Sequence, residues 1–319
     1  MIRWSHPDRD LSVAAPLRDH AVRREPIAAG ASTAALERLT MPDGRVLIAK
    51  HVLPELDWMM RATHDTGRAA RLWIDGTMRR CPREIDPALV RIEEAERGFL
   101  LYMEPVAFHP RGTRFSRGDA GRVLAALAAL HAEFWDEDVP GLCTLHDLLA
   151  LLAPRTIADY DRDFLAFVRG GWERFADLAP ADIADVVFAL LDDPTPLVRE
   201  LTAGGTTLLH SDVHFGNAAL EPDRLVLIDW TLASQGPPAI DFVWFLDQSS
   251  QLIDATHDEL VADFVRCERG RASEEDVDRG CLSQLLLSGW QCRRWLDTPE
   301  RAVQQANFDW FVARARRAL

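Results

Sequence analysis

Between two apolar runs the chain crowds five polar side chains into eight residues: His210, Ser211, Asp212, His214 and Asn217 follow Leu208-Leu209. A turn-forming Glu221-Pro222-Asp223-Arg224 comes next, then a strand-like Leu225-Val226-Leu227-Ile228 that ends on Asp229. A carboxylate at the end of a buried apolar strand is costly unless something compensates its charge. A bound cation is a common compensator.

The spacing His210-x-Asp212-x-x-x-x-Asn217 reproduces the catalytic-loop pattern of kinases, in which the Asp handles the acceptor hydroxyl and the Asn ligates Mg²⁺. Asp229 stands where the metal-binding Asp of the following strand belongs. Physically, Asn217 and Asp229 offer oxygen ligands for a hard cation held against the phosphates of ATP. Asp212 is a free carboxylate able to aim a hydroxyl for in-line attack. The stretch resembles the aminoglycoside phosphotransferase and choline-kinase-like family of small-molecule kinases, closely from Leu208 to about Leu246 and loosely elsewhere. The family pattern continues with an Ile-Asp-Trp, here Ile228-Asp229-Trp230, and a second Asp about a dozen residues on, here Asp241. The resemblance implies that His210 and Asp241 are structural supports, Asp241 bracing the loop through backbone hydrogen bonds. It also implies ATP and Mg²⁺ as cofactors, with Asn217 and Asp229 on the metal.

Eleven residues separate Asp229 from Asp241, and Thr231 rather than glycine stands two after Asp229. That leaves no room for the activation segment of a protein kinase. The expected acceptor is therefore a hydroxyl of a small molecule: an aminosugar or aminoglycoside, a choline-like alcohol, a macrolide or another sugar. Two other readings stay open. One is a nucleotide-binding pseudokinase that acts as a partner-binding module. The other is a metal hydrolase built on the His210-x-Asp212-x-His214 triplet, which leaves Asn217 and Asp229 without a role. His214 reads either as a loop filler or as a neighbour of the acceptor.

Composition adds one sharp signal. Of 36 basic residues in 319, a single one is lysine, Lys50. Where arginine serves everywhere else, a retained ammonium marks a place that needs a compact point charge. Lys50 ends Val46-Leu47-Ile48-Ala49-Lys50, which resembles the kinase strand whose lysine meets the α- and β-phosphates. The net charge of −14 argues against a nucleic-acid surface and is compatible with a cationic acceptor. Five widely spaced cysteines without a C-x-x-C read as reduced thiols. With neither a secretory leader nor a membrane-length apolar run, the expectation is a soluble cytoplasmic protein. Nothing in the sequence sets the oligomeric state.

The elements that must position these groups follow in order. Residues 1 to about 20 read as a lead-in arm or short helix. Ala21 to Leu53 reads as three strands, with Pro42-Asp43-Gly44 turning the second into the third. The small-residue link Ala29–Thr33 would let backbone N–H groups approach phosphate, with Ser32 as the candidate contact. A helical region is expected from Glu55 to about Arg80. The glutamate that anchors the strand lysine in relatives is replaced by alanine after Arg68, and Glu55, Asp57 and Asp65 are the candidate substitutes. Two strands, from Ala88 and from Arg97 to Glu104, turn at Glu96 to Gly98. They feed a linker whose Met103, Glu104 and Val106 are candidates for binding adenine through the main chain. Helical periodicity then runs over Asp119–Trp135, with His131 read as a core residue, and over Thr144–Leu152, Asp159–Arg174 and Pro180–Leu191. Trp290, Trp295, Phe308, Trp310 and Phe311 in the tail are core or acceptor-wall candidates. The fold expected is a bilobal α+β, protein-kinase-like one. Residues 1–104 form a small antiparallel-sheet N-lobe for the nucleotide, and residues 105–319 a mainly helical C-lobe with the catalytic loop and acceptor site.

Overall fold

A computed structural model describes residues 17–27, 35–55, 57–110, 112–158 and 162–319. Ser32 and the rest of the 28–34 link lie outside the described residues, as does most of the lead-in arm.

The first half is built on strands β1 (Arg23–Ile27), β2 (Ala35–Thr40) and β3 (Val46–Val52). Each pairs antiparallel with the next, Arg23 opposite Thr40 and Leu36 opposite Lys50. The β2–β3 turn closes through Gly44, whose φ of +85° suits the residue without a Cβ. Helices α1 (Trp58–Ala62) and α2 (Arg68–Ile74) and the short strand β4 (Ile85–Asp86) follow. Then β5 (Leu89–Glu94) and β6 (Phe99–Met103) complete a five-stranded sheet of order β1-β2-β3-β6-β5. Gly98 at the β5–β6 turn has φ +71°, and a Cβ there would stand 2.0 Å from the Val52 carbonyl oxygen. The sheet can close at that corner only around a glycine.

Side-chain alternation gives the sheet two faces. Leu47, Ala49, Leu100 and Tyr102 pack with Leu17 and Leu39 on one side as a small core. Tyr102 closes it by donating to Glu93 at 2.6 Å and accepting the Arg18 N–H at 3.1 Å. Lys50 is one position out of phase with Ala49, so it shares the other face with Ile48 and Val52, which pack with the main core.

The helical region expected from Glu55 to about Arg80 is made of α1, α2 and a 3₁₀ turn over Thr77–Arg80. Caps divide it. Asp57 takes the N–H groups of Met59 and Met60, and Asp65 takes those of Gly67 at 2.7 Å and Arg68. Gly67 sits at φ +114° with the Phe99 ring so close that a Cβ would meet it at 2.3 Å.

The second half opens with β7 (Phe115–Ser116) and α3 (Arg117–Glu133), which begins on a Ser116/Asp119 capping box. Next come α4 (Leu145–Ala150), α5 (Pro154–Ile157), α6 (Arg162–Leu178), α7 (Ala181–Asp192) and α8 (Thr195–Thr202). Three short strands, β8 (Thr207–Leu209), β9 (Ala218–Leu220) and β10 (Leu225–Leu227), are followed by β11 (Ser234–Gly236) and α9 (Ala239–Ser249). The chain ends with β12 (Ile253–Asp254), α10 (His257–Glu268), α11 (Glu274–Ser288) and α12 (Arg301–Arg317). α3 and α9 to α11 share one apolar core, in which the rings of Phe242 and Phe264 stack at 4.3 Å. Among the described residues no helix is long and apolar enough to cross a membrane.

Candidate active site

The β9–β10 hairpin explains how residues twelve apart come to lie side by side. β9 and β10 pair antiparallel with Leu227 opposite Ala218, and the Ile228 N–H bonds the Asn217 carbonyl at 2.9 Å. Asn217 just before the hairpin and Asp229 just after it therefore share its open end. β8 delivers the loop from His210 to Asn217 to the same place.

The loop is held from beneath. Asp241, fully buried in the first turn of α9, accepts the backbone N–H groups of His210 at 3.0 Å and Ser211 at 2.6 Å. The His210 ring accepts the Asp212 N–H on Nδ1 at 3.2 Å, which leaves Nε2 to donate to the Ile228 carbonyl at 2.9 Å. One neutral ring thus ties the loop to the end of β10, and burial lowers its pKa despite the nearby Asp241 and Asp229. Ser211 and Asp229 both stand at φ +65°, a left-handed backbone that costs about 1–2 kcal/mol for residues with a side chain. Such conformations persist where surrounding bonds over-determine them.

Within the loop, the Asn217 amide donates to the Asp212 carboxylate at 2.7 Å and to its backbone oxygen at 3.1 Å. Lys50 reaches across from β3 to put its ammonium 2.9 Å from Asp229 Oδ1, and Thr231 donates to the same oxygen at 2.7 Å. These surroundings drive the two carboxylates apart. Burial, reinforced by the charge of Asp229, pushes Asp212 up to about 7. Burial would raise Asp229 as well, but Lys50 and Thr231 more than offset it and hold that group at about 2. Two acids of unlike strength in one cleft are a recurring device for separating roles. The indole N–H of Trp244, on α9, faces Asp212 from outside hydrogen-bonding geometry.

A hard cation fits the donor set. The Asn217 nitrogen is spent on Asp212, which leaves its Oδ1, and Asp229 takes both of its donors on Oδ1, which leaves Oδ2. Oxygen ligands of this kind suit Mg²⁺. An imidazole cluster does not form. Both ring nitrogens of His210 are engaged, and His214 uses Nδ1 to accept the Gly216 N–H at 2.9 Å. Burial, helped by His210, lowers His214 to about 4. Among the described residues no group of three or more His, Cys, Asp or Glu could hold a metal.

A cavity of about 630 Å³ joins these groups to the linker. Lys50, Asp212, Asn217 and Asp229 line one end and Met103, Glu104 and Val106 the other, under Ile27, Leu36 and Phe108. The Glu104 N–H is committed to the Ala88 carbonyl at 3.0 Å. None of the three proposed lysine anchors serves Lys50. Glu55 pairs with Arg97 on the surface at 3.2 Å, while Asp57 and Asp65 are spent as helix caps.

Sequence reasoning also missed a partnership behind Asp241. His131, fully buried in α3, lies 3.3 Å from Asp241 and 2.7 Å from Glu268 at the end of α10, and Arg271 meets the other Glu268 oxygen at 3.2 Å. Burial alone would lower His131, but the two carboxylates overcome it and hold the imidazolium up to about 9, against an ordinary 6.5. The folded form thus binds more proton between these values. The stability contributed is complete below about pH 6.5 and is lost as pH rises through about 9. A shift of this size is worth roughly 3 kcal/mol at most. In denaturant unfolding, the gap between wild type and His131→Gln should be widest near pH 6 and close by pH 9.5 to 10.

A five-stranded antiparallel sheet joined to a mainly helical half is the bilobal α+β fold of the protein kinases. The chain belongs to the phosphotransferase enzyme family, whose model matches residues 23–276. No match was found among curated proteins. Among solved structures the chain is similar to a spectinomycin phosphotransferase in complex with ADP and spectinomycin, at 13% identity over 93% of both chains and a TM-score of 0.54. It is similar also to choline kinase from Streptococcus pneumoniae, at 14% identity over 93% of this chain and 94% of that one, with a TM-score of 0.51. A choline/ethanolamine kinase family protein from Mesorhizobium loti gives 14% identity, coverage of 94% and 91%, and a TM-score of 0.50. At these identities the likeness is one of fold.

Proposed function

We propose that this phosphotransferase moves the γ-phosphoryl group of ATP to a hydroxyl of a small molecule. The observation that carries the reading is the convergence of Lys50, Asp212, Asn217 and Asp229, from distant parts of the chain, on one cleft. In this reading residues 1–104 hold the nucleotide and 105–319 the acceptor. Met103, Glu104 and Val106 of the linker, which line the cavity, meet the base through the main chain, and Lys50 and Ser32 meet the phosphates. Asn217 and Asp229 would hold Mg²⁺, which when bound neutralises charge on the phosphates. Asp212 accepts a hydrogen bond from the acceptor hydroxyl and aims its oxygen at the γ-phosphorus. As the new O–P bond forms, the bond from the γ-phosphorus to the β-phosphate oxygen breaks and ADP departs. The hydroxyl proton passes to Asp212 late, because a loose transition state asks little of a base. His210 and Asp241 support the loop.

For the acceptor, we favour a small molecule that carries a protonated amine. α9 presents Trp244 toward Asp212 and, three residues on and so on the same helix face, Asp247. The Asp247 carboxylate borders a second pocket of about 420 Å³ with Phe308 and Trp295 among its walls. Its donors are neutral: the amides of Gln248 at 2.8 Å, Gln284 at 3.0 Å and Asn307 at 3.2 Å, with the Ser288 hydroxyl beside them. Burial raises its pKa, so an incoming cation would stabilise the charged form. The decisive experiment incubates the purified chain with Mg-ATP and a panel of amino alcohols, aminosugars, aminoglycosides and neutral sugars, and scores the gain of one phosphate by mass spectrometry. A pseudokinase would bind nucleotide and modify nothing. With the acceptor found, Asp247→Asn should raise its KM about tenfold or more, a loss of about 1.4 kcal/mol, and leave the KM for ATP unchanged.

A further inference from the structure

α2 begins with a buried arginine whose charge is spent on carbonyl oxygens. Arg68 is 3% exposed. Its guanidinium donates to the Thr63 carbonyl at 3.0 Å, to the Gly141 carbonyl at 3.1 Å and, most closely, to the Thr231 carbonyl, with the Asp65 carboxylate 3.6 Å away. Thr231 is the residue whose hydroxyl donates to Asp229, and Asp229 is the residue at φ +65° that meets Lys50. A planar fork of five N–H groups is the side chain that can hold three separate carbonyls at once.

We propose that Arg68 is the positioning residue that fixes the Asp229 loop for its cation, in the place of a helix carboxylate on Lys50. The proposal rests on the phosphotransferase reading above. In this chain α2 offers Lys50 no acid, since alanine occupies position 69 and Asp65 caps the helix. What α2 does offer is a grip on the backbone two residues beyond Asp229. With the guanidinium gone, the Thr231 carbonyl loses its donor, the turn after Asp229 is free to relax from its left-handed conformation, and the Thr231 hydroxyl moves off the carboxylate. The coupling runs from α2 to the Asp229 carboxylate through one residue, Thr231, and Arg68 itself lies one residue removed from that group.

The test measures ADP affinity of the full chain by calorimetry with and without Mg²⁺, for wild type, Arg68→Met and Arg68→Lys, alongside steady-state kinetics. Wild type should bind ADP more tightly with Mg²⁺ than without. Arg68→Met should keep the metal-free affinity within about twofold, lose most of the Mg²⁺-dependent tightening, and need about tenfold more Mg²⁺ for half-maximal turnover. Arg68→Lys, which keeps the buried charge but not the fork, should lie between the two. It also serves as the test protein if the methionine variant does not fold. A variant that unfolds at lower temperature yet keeps the full tightening would overturn the proposal, and so would failure of both variants to fold, which would make the arginine a requirement of the fold alone. If wild type itself binds no ADP, the phosphotransferase reading fails and takes this one with it. If wild type tightens with Mg²⁺ and Arg68→Met does so equally, only the arginine assignment falls.

Discussion

Asp229→Ala is expected to lower Mg²⁺-dependent ATP turnover by about a thousandfold or more, the scale on which removal of a preorganised charge acts in a closed site. The carboxylate sits at about 2, so it is ionised at every working pH and has no proton to contribute. Its loss is therefore a loss of negative charge and of the oxygen assigned to the cation in the proposed function. It also strips Lys50 of its ion-pair partner, so an uncompensated ammonium remains in the cleft. Asp229→Asn separates the two effects, because it keeps an oxygen and the shape but not the charge. Both variants should fail a coupled ADP-release assay, and raised Mg²⁺ should rescue the asparagine variant in part. Retained activity in the alanine variant would remove Asp229 from the metal.

Asp212→Asn should cut kcat by about a hundredfold to ten-thousandfold, the range for a positioned general base, with little change in the KM for ATP. The side chain keeps its size and its place beside Asn217, so the variant tests the charge and not the packing. A pH signature accompanies it. Burial and the charge of Asp229 raise the Asp212 carboxyl to about 7, so below that pH the group takes up a proton and no longer accepts one from the acceptor. In wild type, kcat/KM should therefore fall toward acid with a midpoint near 7 at limiting metal. Mg²⁺ on Asp229 cancels the second of the two causes, so the midpoint should move to lower pH as Mg²⁺ is raised. A limb that does not respond to metal would detach the ionisation from Asp212.

The sequence made the fold readable where the cause is local. The strand-like run Val46–Lys50, the Pro42-Asp43-Gly44 turn and the periodicity of Asp119–Trp135 each reflect neighbours within a few residues, and the structure has a sheet and a helix there. Asp212, Asn217 and Asp229 were legible because a single hairpin joins them, and Lys50 because no other lysine competes for attention. What was not legible depends on distant contacts. Arg68 is one arginine among thirty-five (36 basic residues less one lysine) and shows its worth only through carbonyls 73 and 163 residues away. The Phe99 ring comes close against Gly67 from a distant strand, and Glu268 finds His131 across 137 residues. The three candidate anchors for Lys50 were all plausible by spacing, yet each had a nearer partner, two in helix N–H groups and one in Arg97.

The short bridge from Lys50 to Asp229 has a bearing on the order of events. With its own ammonium parked on that oxygen, the idle protein is already neutralised at this point. A divalent ion that arrives alone at Oδ2 meets an ammonium held on the other oxygen of the same carboxylate, with no further anion to draw it away. One that comes in with a triphosphate brings the lysine a fresh anion in the same movement. Metal and nucleotide should consequently enter as a pair, and the resting protein should take up little magnesium or calcium on its own.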